Sequence, residues 1–378
     1  MAAQNEPAKK LTKLADLLGQ ERALDAIRAG LESGRIPSGW LFAGPRGVGK
    51  MTAALATAAA ANCGPAGGDE GGGLFGGGGG ASLFGGDPAP APTKAAAPKN
   101  DADGTCASCR KIAAGNHPDV RVVRVPEDKR VIPIESIRDV LQEFAYRPYE
   151  GKRRFVIVDG ADLLTPPASN ALLKTLEEPP PHSSWILVSE GTSKLLPTII
   201  SRCRVVRFGA LDLDIAANLL SRETQMDKAE AKSLAGLLGG SVGRALGEEA
   251  EHFSRDVRRQ VLDEALDAIG ASSTAKILDV AESWDKRAKA EDLPVETVLE
   301  HLSAWLRDIA VWQSTKDAKR LLDPANLDRV ERVAKKAKPA SVARSFDAVR
   351  LCVRDLQGNV NDKLSLEAML LTLRRELA

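Results

Sequence analysis

The sequence predicts an α/β chain: a parallel sheet with helices over 1–210, a small helical segment over 211–250, and helices alone over 251–378. Three observations carry that prediction. Over 153–208, short apolar runs alternate with stretches of helical period. A glycine-rich turn, Gly44 to Lys50, joins an apolar run to an Ala-rich helix. After Phe208 the strand pattern does not recur.

The elements follow in order. Residues 1–10 are polar. Residues 14–33 read as helical, with Leu17 and Leu18 ahead of a Gly19-Gln20 break and Ala23, Leu24, Ile27 and Leu31 on one face. Trp40-Leu41-Phe42-Ala43 is a short strand, and a helix follows over 51–62. The next segment is Gly-rich over 71–86 and then rich in Pro and Ala. Such composition buries too little surface to offset ordering entropy, so 64–102 is expected to be a disordered insertion. Order is expected to resume at Cys106, with a short helix, a strand over 120–125, and a helix presenting Ile134, Ile137, Leu141 and Phe144.

Phe155-Val156-Ile157-Val158 reads as a buried strand that delivers Asp159 at its carboxyl end. Thr165 is placed to cap a helix with Pro166 at its first position, and Pro179-Pro180-Pro181 stops it. Strands over 185–188 and 205–208 flank a short helix over 195–200. This alternation implies right-handed crossovers and ligands gathered at the carboxyl ends of the strands. Residues 211–249 read as a small bundle. Beyond 253 the apolar pattern is helical, as with Val298, Leu302, Trp305, Ile309 and Trp312.

Composition narrows the function. A net charge of +1 announces no nucleic-acid binder by bulk electrostatics, so any DNA contact has to come from a local patch or from other subunits. No run reaches the ~18 apolar residues of a membrane span, and the N-terminus lacks a signal-peptide core; a cytoplasmic protein without a membrane partner is expected. Five cysteines in 378 residues do not make a disulfide scaffold.

Gly44, Gly47, Gly49 and Lys50 fit a phosphate-binding loop, in which backbone N–H groups cradle phosphate at a helix N-terminus and the lysine reaches the terminal phosphates. One residue departs from that chemistry. The position after the lysine should carry a hydroxyl for Mg²⁺ and is Met51; Thr52 lies about 100° further round the helix. Asp159 stands where a metal-holding acid belongs, or else caps a turn. Gly160 beside it supplies no carboxylate to orient a water.

Leu17-Leu18-Gly19-Gln20, the glycine-rich loop, Asn116-His117-Pro118-Asp119, the run from Ser169 to Pro179 (SNALLKTLEEP) and Ser201-Arg202-Cys203 together resemble the AAA+ clamp-loader family of bacteria. The resemblance implies an AAA+ domain, a helical lid and an all-α collar. It implies a hetero-pentamer with gamma/tau and delta subunits that opens a sliding clamp and loads it on primed DNA in the bacterial cytoplasm. ATP then sits at subunit interfaces, and Arg202 matches the arginine that reaches a neighbour's ATP; its plain alternative is a salt-bridged surface arginine. The family also carries a four-cysteine zinc module. Cys63, Cys106 and Cys109 match it and Asp103 takes the remaining position, which leaves Zn²⁺ or reduced thiols open. His117 reads as a turn residue. The family's lid arginine falls on Gly243, with Arg244 one place late. Met51, Gly160 and Gly243 all weaken one function while Arg202 remains, so a non-hydrolysing subunit is expected, with weak or absent ATP/ADP binding. The alternative is an ATP-hydrolysing motor subunit resembling gamma/tau.

Overall fold

The computed structural model describes residues 13–32, 36–64, 101–126, 129–144, 146–247, 250–290, 292–358 and 360–378. Among them, five apolar runs pair in one parallel sheet of order β2-β3-β4-β1-β5. These are β1 (Gly39–Ala43), β2 (Val120–Val123), β3 (Arg154–Asp159), β4 (Ser183–Ser189) and β5 (Arg204–Arg207). Register is set across the sheet by Trp40 opposite Ile186 and Arg204, and by Ile157 opposite Ile186. The three inner strands are covered on both faces, which is why their sequences are unbroken apolar runs. β2 is two residues shorter than expected, and Pro126 beyond it cannot donate to a ladder.

Helices α1 (Glu21–Glu32), α2 (Lys50–Asn62), α3 (Ala107–Ala114), α4 (Ile134–Phe144), α5 (Pro166–Glu177) and α6 (Pro197–Ile200) accompany the sheet. The helical stretch expected over 14–33 is split. A 3₁₀ turn, Leu14–Asp16, precedes α1, and Gly19 between them takes φ +73°. α5 starts as its sequence dictates: the Thr165 hydroxyl accepts the Ala168 N–H at 3.4 Å, and Pro166 occupies the first turn. Its Ala168, Leu172 and Leu176 join Ile137 and Val140 of α4 against Val156, Val158 and Leu187 of the sheet.

The expected insertion over 64–102 falls largely on 65–100, outside the described residues. Its last two residues are ordered and buried. Asp101 accepts the backbone N–H groups of Leu14 at 2.7 Å and Ala15 at 2.9 Å, so structure resumes before Cys106.

The chain divides into two units. One holds the described residues up to Pro45 with Gly49–Gly209; the other holds Arg46–Val48 with Ala210–Ala378. Within the second, α7 (Leu213–Thr224), α8 (Lys228–Leu237) and α9 (Val242–Ala245) enclose Ala216, Leu220, Ala231, Leu234 and Phe253. A separate core, including Trp284, Leu302, Ile309, Val349 and Leu370, unites α10 (Arg255–Gly270), α11 (Thr274–Lys289), α12 (Val295–Thr315), α13 (Leu327–Lys336), α14 (Pro339–Gln357) and α15 (Asp362–Leu377). No helix among the described residues is long and apolar enough to cross a membrane.

Candidate functional site

β1 hands the chain at Ala43 to the glycine-rich loop, and α2 begins at Lys50. Gly44 is demanded by close approach, since a Cβ there would lie 2.2 Å from the Phe208 carbonyl oxygen. Gly49 holds φ +98° immediately before the helix, a backbone that only glycine adopts readily. The loop geometry thus serves strand-to-helix packing. Lys50 is 6% exposed, and its Nζ donates to the carbonyls of Gly44 at 2.7 Å and Pro45 at 2.5 Å. The ammonium that would meet a phosphate is held by its own loop. Met51 and Thr52 are half-buried in the first turn of α2.

Asp159 ends β3, with β4 between it and β1, so the two strand ends stand about 10 Å apart at ordinary spacing. Its Oδ2 lies 3.5 Å from Nε of Arg124, which follows β2 on the opposite side from the loop. Lys50 and Asp159 therefore hold separate partners. Gly160 sits at φ +90°, where a larger acid would be strained.

In the second unit, the Gly243 N–H donates to the Gly47 carbonyl at 2.8 Å. A Cβ on Gly243 would come within 2.9 Å of that oxygen, so a side chain does not fit there without backbone movement. Arg244 is committed elsewhere. It pairs with Glu300 at 3.0 Å and lies over the Phe253 ring, 4.9 Å from its centroid.

Cys63, Asp103, Cys106 and Cys109 converge: one ligand atom from each lies within 4.8 Å of all the others. A tetrahedral Zn²⁺ with ordinary Zn–S bonds needs sulfurs ~3.8 Å apart, and Cys63 and Cys106 Sγ are 3.9 Å apart. Burial pushes the Cys63 and Cys109 thiols up, while backbone donors oppose it and bring Cys106 below its ordinary value. Cys63 Sγ accepts the Asp103 N–H at 3.3 Å, and Cys106, at the head of α3, accepts the Cys109 N–H at 3.4 Å. Burial opposes ionisation of Asp103, but the N–H groups of Cys106 and Thr105 on its Oδ1 outweigh it and hold its pKa at about 2. The thiols of Cys109 and Cys106 also hydrogen-bond this carboxylate, so it faces the two cysteines of α3. The donor set fits zinc.

Arg202 follows α6 and precedes β5. Its NH2 meets Glu177 Oε1 at 2.7 Å, and its NH1 donates to the Thr198 carbonyl at 3.0 Å and the Ser201 hydroxyl at 3.3 Å. A Cβ on Gly39 would lie 3.2 Å from the Arg202 carbonyl, so Arg202 stands at the amino end of β1. The glycine-rich loop leaves the other end, four residues on and about 13 Å away at the rise of a strand.

The resemblance motifs also conceal a structural residue that local reading missed. Asp119 is 0% exposed; it accepts the N–H groups of Tyr149, Glu150 and Gly151 and pairs with Arg154 Nε. His117 serves the same turn, its Nδ1 accepting the Asp119 N–H at 3.1 Å.

A parallel sheet of this order, with a glycine-rich loop after its first strand and helices beyond it, is an α/β fold of the P-loop kind, as an AAA+ domain requires. Residues 92–212 match the family described as DNA polymerase III, delta subunit, and residues 255–375 its C-terminal counterpart. The chain belongs to the clamp-loader family of DNA polymerase III subunits. It is 31% identical over 220 residues to subunit delta' of Pseudomonas aeruginosa, covering 58% of this chain and 64% of that one. It is 33% identical over 200 residues to subunit tau of Escherichia coli, covering 53% of this chain and 26% of that one. With subunit gamma/tau of Mycobacterium tuberculosis it shares 27% over 385 residues, 94% of this chain and 60% of that one. The chain thus spans between about a quarter and two thirds of the length of these relatives. A gamma subunit-related protein of Thermotoga maritima aligns over 94% of this chain and 100% of its own at 16% identity, with a TM-score of only 0.39.

Proposed function

We propose that this chain is the delta-prime type of clamp-loader subunit: a partner that hydrolyses little or no ATP itself and donates Arg202 to the ATP site of a neighbour. The observation that carries the reading is the placement of Arg202, which stands at the far end of the sheet from the glycine-rich loop with its side chain 35% exposed. Met51, the left-handed Gly160 and the crowded Gly243 support the same conclusion, because each leaves a part of a hydrolytic site without its side chain.

In this reading the subunit works beside gamma/tau and delta in a pentamer that places the sliding clamp on primed DNA. The neighbour supplies nucleotide and metal. Arg202 supplies a planar, permanently charged fork toward the transferring phosphoryl group, a contribution of about 10³–10⁵ in rate where such fingers are well studied. Zinc, held by Cys63, Asp103, Cys106 and Cys109, would tie the end of α2 to the start of α3; its chemistry there is cross-linking, not catalysis.

The motor-subunit reading draws on the presence of Lys50 and Asp159 and on the long gamma/tau match. Turnover by the isolated chain decides between them. The purified protein should hydrolyse ATP at background rates, unchanged by Lys50→Ala. Turnover comparable to an assembled loader, abolished by Lys50→Ala, would establish the motor reading instead.

A further inference from the structure

Arg202 is too long and too exposed a side chain to hold one position unaided, since its four side-chain torsions turn freely in solvent. Its backbone is fixed first. The N–H groups of Arg202 and Cys203 return to the carbonyls of Ile199 at 3.1 Å and Ile200 at 3.3 Å, so the short helix α6 sets the Cα. The guanidinium is fixed second, and from a different element. Glu177, the last residue of α5, meets NH2 at 2.7 Å, while Thr198 and Ser201 take NH1.

The two side chains are 35% and 49% exposed. An ion pair that open contributes little to stability, because water screens it and holding two long side chains costs entropy. Its consequence is directional. A carboxylate on one nitrogen and two oxygens on the other restrict the rotation of the planar group about the end of its stem. In a trans-acting arginine, that restriction decides whether the fork arrives already aimed or must be ordered during reaction.

We infer that Glu177 is the positioning residue for Arg202, orienting the guanidinium for the neighbour's phosphates. The inference rests on the finger reading above and adds a residue to it. Glu177 does not touch the reacting atoms. It acts through Arg202, at the place where the end of α5 meets the start of β5, so a disturbance of α5 would be felt at the neighbour's site.

The test is single-turnover ATP hydrolysis in the assembled complex in which only the subunit bordering Arg202 is hydrolysis-competent. Arg202→Ala, Glu177→Ala, Glu177→Gln and the Arg202/Glu177 double alanine variant are compared there. Misplacing a positioned group typically costs about 10–100-fold, so Glu177→Ala should slow the step by about tenfold with the neighbour's nucleotide affinity unchanged. Glu177→Gln, which keeps an acceptor oxygen, should recover part of the loss. The double variant should be no slower than Arg202→Ala alone. A readout independent of hydrolysis is the Nε–H relaxation of Arg202 in the free chain, ordered in the wild type and mobile in Glu177→Ala. If Arg202→Ala reacts at the wild-type rate, the finger reading fails and this inference falls with it. If Arg202→Ala is slow but Glu177→Ala is unchanged or faster, the finger stands and the positioning role is overturned. Additive losses in the double variant, or a guanidinium equally mobile with and without Glu177, overturn it too.

Discussion

Asp119→Ala should be among the most damaging substitutions in the first unit. The carboxylate is wholly buried and accepts N–H groups from Tyr149 at 2.7 Å, Glu150 at 2.9 Å and Gly151 at 2.8 Å, with Arg154 Nε at 3.1 Å. Hydrogen bonds to a charged group contribute about 1.5–3 kcal/mol each. They do not add, because the freed loop regains water. Breaking a buried ion pair by removing one partner costs about 3–5 kcal/mol, and the same range, about 4 kcal/mol, is expected here. At about 1.4 kcal/mol per decade, that is roughly a thousandfold loss of hydrogen-exchange protection at amides 149–151. Burial alone would raise the Asp119 pKa, but the three N–H donors and Arg154 outweigh it and hold it below the ordinary value. A depressed carboxylate stabilises the fold above its unfolded pKa, and that contribution is lost as pH falls through the lower, folded value. Asp119→Asn, which presents an N–H to donors, should be nearly as unstable at neutral pH and lack this acid dependence. Unfolding free energy lowered by less than about 1 kcal/mol in Asp119→Ala, with protection at 149–151 unchanged, would refute the reasoning.

Protein expressed in zinc-replete medium should carry about one Zn²⁺ per chain. Asp103→Ala should lose it faster to a chelator, whereas Asp101→Ala should keep it while loosening the Leu14 turn; zinc-free wild-type protein would remove the site. His301 is 2% exposed, its Nε2 lies 3.0 Å from the His252 carbonyl, and burial depresses its pKa to about 4. Arg258, Arg244 and Asp323 are the charged groups that act on it. Because the unfolded chain takes up this proton first, stability should fall by roughly 3 kcal/mol between pH 6.5 and 4. His301→Phe should flatten that window in urea titrations, and an unaltered slope would show that His301 does not titrate there.

Much of the sheet was legible because its inner strands are uniformly buried, so apolar runs such as Phe155 to Val158 mark them without ambiguity. α5 was legible from both ends, through Thr165-Pro166 and the proline run. The glycine-rich turn before α2 and the grouping of Cys63, Asp103, Cys106 and Cys109 were legible, and the structure brings those four side chains together. What escaped is what the fold brings together across distance. Nothing local ties Asp119 to the 149–151 loop, or Glu177 to Arg202 across β4. Asp101 sits at the edge of low-complexity sequence, where composition argues against any structural role, yet it caps a turn 87 residues earlier in the chain. The Lys50 clasp escaped for another reason. A motif states which atoms are available to a phosphate, not which carbonyls already hold them.

In the proposed function, this chain acts on a neighbour's nucleotide through Arg202 and not on its own through Lys50. The most direct measurement is the single-turnover rate at the site bordering Arg202, in a complex where every other site is inactivated. Arg202→Ala should fold, assemble and bind nucleotide as the wild type does, and should slow that step by about 10³-fold. Arg202→Lys should recover little, since an ammonium lacks the planar fork. A wild-type rate in Arg202→Ala would rule out that role and leave Arg202 an ordinary surface partner of Glu177.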